Sequence, residues 1–170
     1  MIIEQIVGNL KDLPAGNRKI DLLPLEWHET AKRILRKNTQ GGMEIAIKFL
    51  KEGQSLYQDD ILYMDDEKMV VADILPCDAI AVKPHSLWEM GSVCYEIGNK
   101  HLPLFIQNDE VLIPYEEPIF NWLSASGYDT RRANVKLLNM LKTNVQPHSH
   151  EQGGSSLFSK IVGMVSKPES

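Results

Sequence analysis

Cysteine is scarce in this sequence: two residues in 170, Cys77 and Cys94. That is too few and too unpatterned for a disulfide scaffold or a Cys-based zinc site, and a reducing cytoplasm is the expected compartment. Both thiols are expected to be small buried residues. Clustered basic charge is also missing. The net charge is −5, and only Lys32-Arg33 with Arg36-Lys37 forms a local basic patch, which argues against a nucleic-acid or anionic-membrane binder. No apolar run is long enough to span a bilayer. The opening MIIEQIVGNL lacks a basic start and carries Glu4 inside its short apolar stretch, so no signal peptide is expected. The motifs of common enzymes are absent as well: there is no G-x-S-x-G elbow, H-E-x-x-H helix, phosphate-binding glycine loop or Cys-x-x-Cys pair. The chain is expected not to be an enzyme.

What is present describes a soluble α+β protein. With 43% hydrophobic and 24% charged residues the chain can bury one or two small cores. In its first half Ile45, Ile47 and Phe49 alternate with Glu44, Ala46 and Lys48 after the turn-like Asn38-Thr39-Gln40-Gly41-Gly42, predicting a half-buried hairpin. A second hairpin is expected from Ile61-Leu62-Tyr63 and Met69–Ile74 around Met64–Lys68. Shorter strands near Ile2–Val7 and Lys19–Leu23 complete a small all-β domain over 1–75.

From residue 76 the pattern changes. Ala79–Val82 reads as a strand, and Ser86-x-x-Glu89 opens a helix with apolar positions Leu87, Met90, Cys94 and Ile97. Gly98 is the expected cap. Leu104–Gln107 and Glu110–Ile113 flank the turn Asn108-Asp109. Pro118 then starts a helix with Ile119, Phe120 and Leu123 inward and Gly127 as its stop, and Asn134–Met140 supplies the last strand. This βαββαβ order over 76–142 predicts a ferredoxin-like domain. Residues 143–170 read as a flexible polar tail, in which Phe158, Ile161, Val162 and Val165 have the spacing of a short docking helix.

Chemistry rests on five histidines. His28, among acids and next to Trp27, reads as structural or simply exposed, and His85, after Lys83-Pro84, as a turn residue. His148 and His150 form an H-x-H pair that can present two imidazoles to Ni(II), Cu(II) or Zn(II), or can be part of a solvated polar tract. His101 follows a helix C-terminus, where the helix dipole favours a cation. By its surroundings alone it is a structural loop residue or a metal ligand. Trp27, Trp88 and Trp122 are expected core or interface anchors.

The run Cys94-Tyr95-Glu96-Ile97-Gly98-Asn99-Lys100-His101-Leu102-Pro103-Leu104 resembles the signature of the UreE family of urease accessory proteins, nickel metallochaperones. Leu25-Glu26-Trp27-His28-Glu29, Lys32-Arg33-Ile34-Leu35-Arg36 with Thr39, and Asp59-Asp60-Ile61-Leu62 are similar to further family segments, so the resemblance spans nearly the whole chain. It implies a β domain that binds partner protein and a ferredoxin-like metal-binding domain. It also implies a homodimer in which the signature histidine, His101 here, meets its copy near the two-fold axis. Association of dimers through metal into a dimer of dimers is left open. Two departures stand out. Lys100 replaces the usual Arg, and Tyr115-Glu116-Glu117-Pro118 stands where some members carry extra histidines. With only two tail histidines, few metal ions per dimer are expected.

The function so implied is delivery of Ni(II) to urease apoprotein through an accessory GTPase complex, with His101 as fixed ligand and His148 and His150 as mobile ones; Zn(II) or Cu(II) can substitute. Imidazole binds as the neutral base, so acid weakens binding as pH falls toward ~6.5. The rival reading is a protein-binding adaptor of urease assembly in which metal binding is incidental.

Overall fold

The structure, a computed structural model, describes residues 1–51 and 53–141. His148, His150 and the apolar stretch 157–165 lie outside the described residues. The first half is built from strands β1 (Ile2–Ile3), β2 (Gly8–Asn9), β3 (Lys19–Leu25), β4 (Ile34–Asn38), β5 (Glu44–Lys48), β6 (Asp60–Met64) and β7 (Lys68–Ile74). They form a three-stranded sheet, β1-β5-β4, and a four-stranded sheet, β2-β6-β7-β3. Both expected hairpins are present, β4 with β5 and β6 with β7, while β1–β5 and β3–β7 pair in parallel. Alternation along β5 turns Ile45 and Ile47 inward, where they join Ile3, Leu23, Leu25, Leu62, Val70 and Ala72 in one core between the sheets. Of the expected stretch near Ile2–Val7 only Ile2–Ile3 is strand; β2 lies just beyond it and belongs to the other sheet.

The second half contains β8 (Pro76–Val82), α1 (Leu87–Asn99), β9 (Phe105–Gln107), β10 (Glu110–Pro114), α2 (Glu117–Ala125) and β11 (Thr130–Lys136). Its sheet runs β11-β8-β10-β9, with every neighbouring pair antiparallel. The last strand begins and ends earlier than Asn134–Met140. Seven consecutive pairings with β8 hold Thr130–Lys136, which leaves Leu137 free to turn into the core, where it is buried. The β9–β10 turn places both Asn108 (φ 51°) and Asp109 (φ 59°) in the left-handed region, as a two-residue hairpin turn requires.

β8 is covered on both faces, which explains its run of small and branched apolar residues. Ile80 and Val82 face α1 and α2 together with Val93, Ile97, Val111, Ile113 and Leu123. Ala79 and Ala81 face the opposite way, with Phe105, Leu112 and Leu137, and there Trp27 of the first half packs against them. Two contacts mark this seam between the halves: Trp27 meets Phe105 edge to face at 5.6 Å, and Lys136 Nζ donates to Asp73 Oδ1 at 2.6 Å. The expected burial of both cysteines is only partial. Each is half-buried, and burial pushes the Cys77 and Cys94 thiols up, leaving them in the unreactive thiol form.

Burial pushes the Asp73 carboxyl up, but hydrogen bonds from Lys136 and Gln58 outweigh it and hold the group below its ordinary value. A depressed carboxylate contributes stability above the ordinary Asp range near ~3.9, and the contribution is lost as pH falls through the lower folded value. Asp73→Asn is therefore expected to cost about 1 kcal/mol at neutral pH. Urea unfolding as a function of pH checks this: the gap between variant and parent should close in strong acid.

Candidate metal-binding site

The signature run folds as the end of α1 and its exit, and the way the helix stops decides what His101 does. The helix starts where expected, with Ser86 Oγ accepting from the Glu89 amide at 3.1 Å. Glu89 Oε2 in turn accepts from the His85 amide, one residue before Ser86, at 2.7 Å. At the other end the helix runs past Gly98, through Asn99, and is capped by Lys100. Gly98 is an ordinary helical residue. The left-handed residue that ends the helix is His101, at φ 55°. Its amide donates to the Gly98 carbonyl at 3.0 Å, and the Leu102 amide donates to the Ile97 carbonyl at 3.4 Å. This is a Schellman closure, accompanied by the usual apolar contact, since Leu102 and Ile97 join the same core cluster.

α2 ends by the same closure. The Gly127 amide donates to Ser124 and the Tyr128 amide to Leu123, at 3.1 and 3.3 Å. There the left-handed position, φ 86°, is occupied by glycine, the residue that adopts it without penalty. Histidine in the equivalent place carries a backbone cost that glycine would remove, and such strain concentrates at functional positions. The side chain it holds is exposed, beyond the carbonyl end of the helix, where the dipole attracts cations.

Two neighbours fix this corner. Lys100 Nζ sits 4.4 Å from the Trp122 ring centroid, a cation–π contact that ties the end of α1 to α2. Tyr128 Oη, just beyond α2, donates to Glu96 Oε1 of α1 at 3.1 Å. Pro103 then leads into β9, and Leu141, near the end of the described chain, donates its amide to the Leu104 carbonyl at 2.7 Å.

The expected inward position of Leu87 is not what the helix presents. Leu87 and Trp88 are 88% and 85% exposed and Tyr95 is 71% exposed; with Gly91 and Ser92 they line one shallow apolar hollow on α1. The core side is instead Met90, Val93, Cys94 and Ile97. Of the three tryptophans, Trp27 and Trp122 are packed, whereas Trp88 faces outward. The remaining histidines behave as read: His28 and His85 are exposed, with the His28 ring edge-on to Trp27 at 5.4 Å. Glu29 closes the 3₁₀ turn Trp27–Glu29 by accepting from the Glu26 amide at 3.0 Å and pairs with Lys37 at 2.6 Å. The Leu25–Glu29 segment is thus a mount for Trp27 on the seam. Among the described residues no three His, Cys, Asp or Glu side chains gather closely enough to hold a metal ion, and no helix is long and apolar enough to cross a membrane.

Comparison with known proteins agrees with this geometry. Residues 3–75 match the model of the UreE urease accessory protein N-terminal domain, and residues 78–155 match that of the UreE C-terminal domain. The urease accessory protein UreE of Flavobacterium johnsoniae is 59% identical over 164 residues, 96% of this chain and 99% of its own. That of Haemophilus influenzae strain PittEE is 45% identical over 147 residues, 84% of this chain and 80% of its own. That of Acetivibrio thermocellus is 38% identical over 150 residues, 88% of this chain and 97% of its own. Such matches define the class as accessory chaperones of urease maturation, which are not enzymes. The chain belongs to the UreE family, with its two-domain α+β architecture.

The shared closure of the two helices gives a direct test. His101→Gly is expected to raise stability by about 1 kcal/mol by relieving the left-handed backbone, whereas Gly127→Ala is expected to lower it by a similar amount. Denaturant unfolding of the two variants measures both.

Proposed function

We propose that this protein is a cytoplasmic, homodimeric nickel metallochaperone that delivers Ni(II) to urease apoprotein through an accessory GTPase complex. The observation that carries the reading is His101: an exposed imidazole held at a strained helix terminus where glycine would fold more cheaply. One imidazole binds a divalent ion weakly, and the site is completed in two ways. A second copy brings a second His101 across a two-fold axis. The unpartnered α1 face of Leu87, Trp88 and Tyr95 supports such pairing, because it lies on the helix that ends at His101 and exposes the kind of aromatic surface dimers bury.

His148 and His150 supply the mobile nitrogen donors. Leu141 is bonded to Leu104, three residues from His101, and His148 follows Leu141 by seven residues. Seven extended residues span about 24 Å, so the tail begins close enough to return to the site. Nitrogen donors suit Ni(II), and Zn(II) or Cu(II) can take the same set. A carrier must release its cargo, and ligands on a tail allow the set to be dismantled one donor at a time.

The division of labour is residues 1–75 for partner binding, a ferredoxin-like metal-binding domain over 76–142, and a ligand-bearing tail over 143–170. The strand order β11-β8-β10-β9 supports the ferredoxin-like reading, because the hairpin strand β10 inserts between β8 and β9.

His101→Ala is expected to remove the tightest Ni(II) binding seen by calorimetry on the dimer, with a fall of at least about tenfold; unchanged affinity and stoichiometry would leave the adaptor reading in its place. Replacing both tail histidines should weaken binding less and leave the dimer intact. Trp88→Glu with Tyr95→Lys is expected to shift the dimer to monomer in sedimentation, with the far-UV spectrum unchanged.

A further inference from the structure

A hollow of about 270 Å³ opens directly beside the exit from α1. Its wall is Trp27, Leu102, Pro103, Ile113 and Ile119, and Glu116 lies at its edge, exposed together with Glu117. The volume lies below the ~300–1,000 Å³ of ligand and cofactor sites and suits one or two apolar side chains. An apolar recess with an acidic rim asks for an apolar residue followed closely by a cation.

The chain itself supplies that pattern. Residues 105 and 140 form an antiparallel bridge and Leu141 bonds to Leu104, so the chain at Leu141 is directed past Leu104 toward Pro103 and Leu102 in the wall of the hollow. Farther on, Leu157, Phe158, Ile161, Val162 and Val165 recur at helical spacing, and Lys160 is the single charge between Gln152 and Ser166. This stretch begins after residue 155, where the match to the family model ends. Fifteen residues separate Leu141 from Leu157, and they include Gly153-Gly154-Ser155-Ser156. A flexible linker of that length has a mean span of about 22 Å and ample reach.

We propose that the apolar segment 157–165 docks in this hollow in its own chain, with Phe158 as the inserted side chain and Lys160 paired with Glu116 and Glu117. The tail is then held at both ends beside the exit from α1, and its histidines lie in a closed loop instead of on a free end. Closing the loop raises their effective concentration at His101. This consequence rests on the nickel reading; the docking itself does not. The face of Leu87, Trp88 and Tyr95 is left to the second copy.

The test uses the full chain, so that tail length and both tail histidines are kept. Methyl NMR spectra without metal are compared for the parent and Phe158→Ser/Ile161→Ser. The expected result is a shift of the Leu102, Ile113 and Ile119 methyls with those of Leu87 unchanged, at every protein concentration. Shifts at Leu87 instead, no shifts at the hollow, or shifts that depend on dilution as for docking between copies would each overturn the proposal. Lys160→Glu provides a second route. It should reproduce the parent-to-variant shifts in part, and Glu116→Lys in the same chain should restore the parent spectrum; failure of that rescue counts against the pairing. Ni(II) titration of Phe158→Ser/Ile161→Ser is then expected to show affinity reduced about threefold to tenfold. Because the NMR comparison contains no metal, loss of the docking and loss of the nickel site are read separately.

Discussion

Every helix must dispose of its last carbonyl groups, and how α1 does so governs this protein. The closure that satisfies Ile97 and Gly98 requires one residue in the left-handed region. Placing histidine there turns a structural obligation into a presentation device. The imidazole cannot slide along the helix or retreat into the core without breaking two backbone hydrogen bonds and the Leu102 contact. Pro103, β9 and the returning Leu141 follow from that corner, as does the hollow walled by Leu102 and Pro103.

Much of this frame was legible in the sequence because it is written in short-range patterns. Alternation in Glu44–Phe49, the Asn108-Asp109 turn, Ser86 before α1 and Gly127 after α2 all act within a few residues, and each appears where expected. What was not legible depends on neighbours distant in sequence. Gly98 looked like the cap because glycine commonly is, but nothing in six residues says that the helix will continue to Asn99 and leave the left-handed place to His101. Leu87 fits a helical stripe as well as Val93 does. Only the position of the sheet under α1 decides that Val93 is buried and Leu87 faces outward.

The site was legible in a different sense. The signature around His101 marks it as the candidate ligand by resemblance, whereas spacing alone left it either a loop residue or a ligand. Structure adds the reason the position is distinctive, through comparison with Gly127 in the sister helix. It also adds the role of Trp27, which no local pattern reveals: the Glu26–Glu29 turn exists to set one indole edge against Phe105 across the seam. Glu29 holds that turn, accepting from the Glu26 amide and pairing with Lys37, and His28 beside it is exposed.

Lys100 has a bearing on retention. Its ammonium stacks on Trp122, and the next residue in the chain is His101. On the proposed nickel reading, a positive charge near the ion would raise the energy of the loaded state. The well proposed for the ion would then be shallower. For the carrier proposed above, whose task would end only when the ion has left, such a neighbour would shorten the dwell time and favour handing the ion on over keeping it.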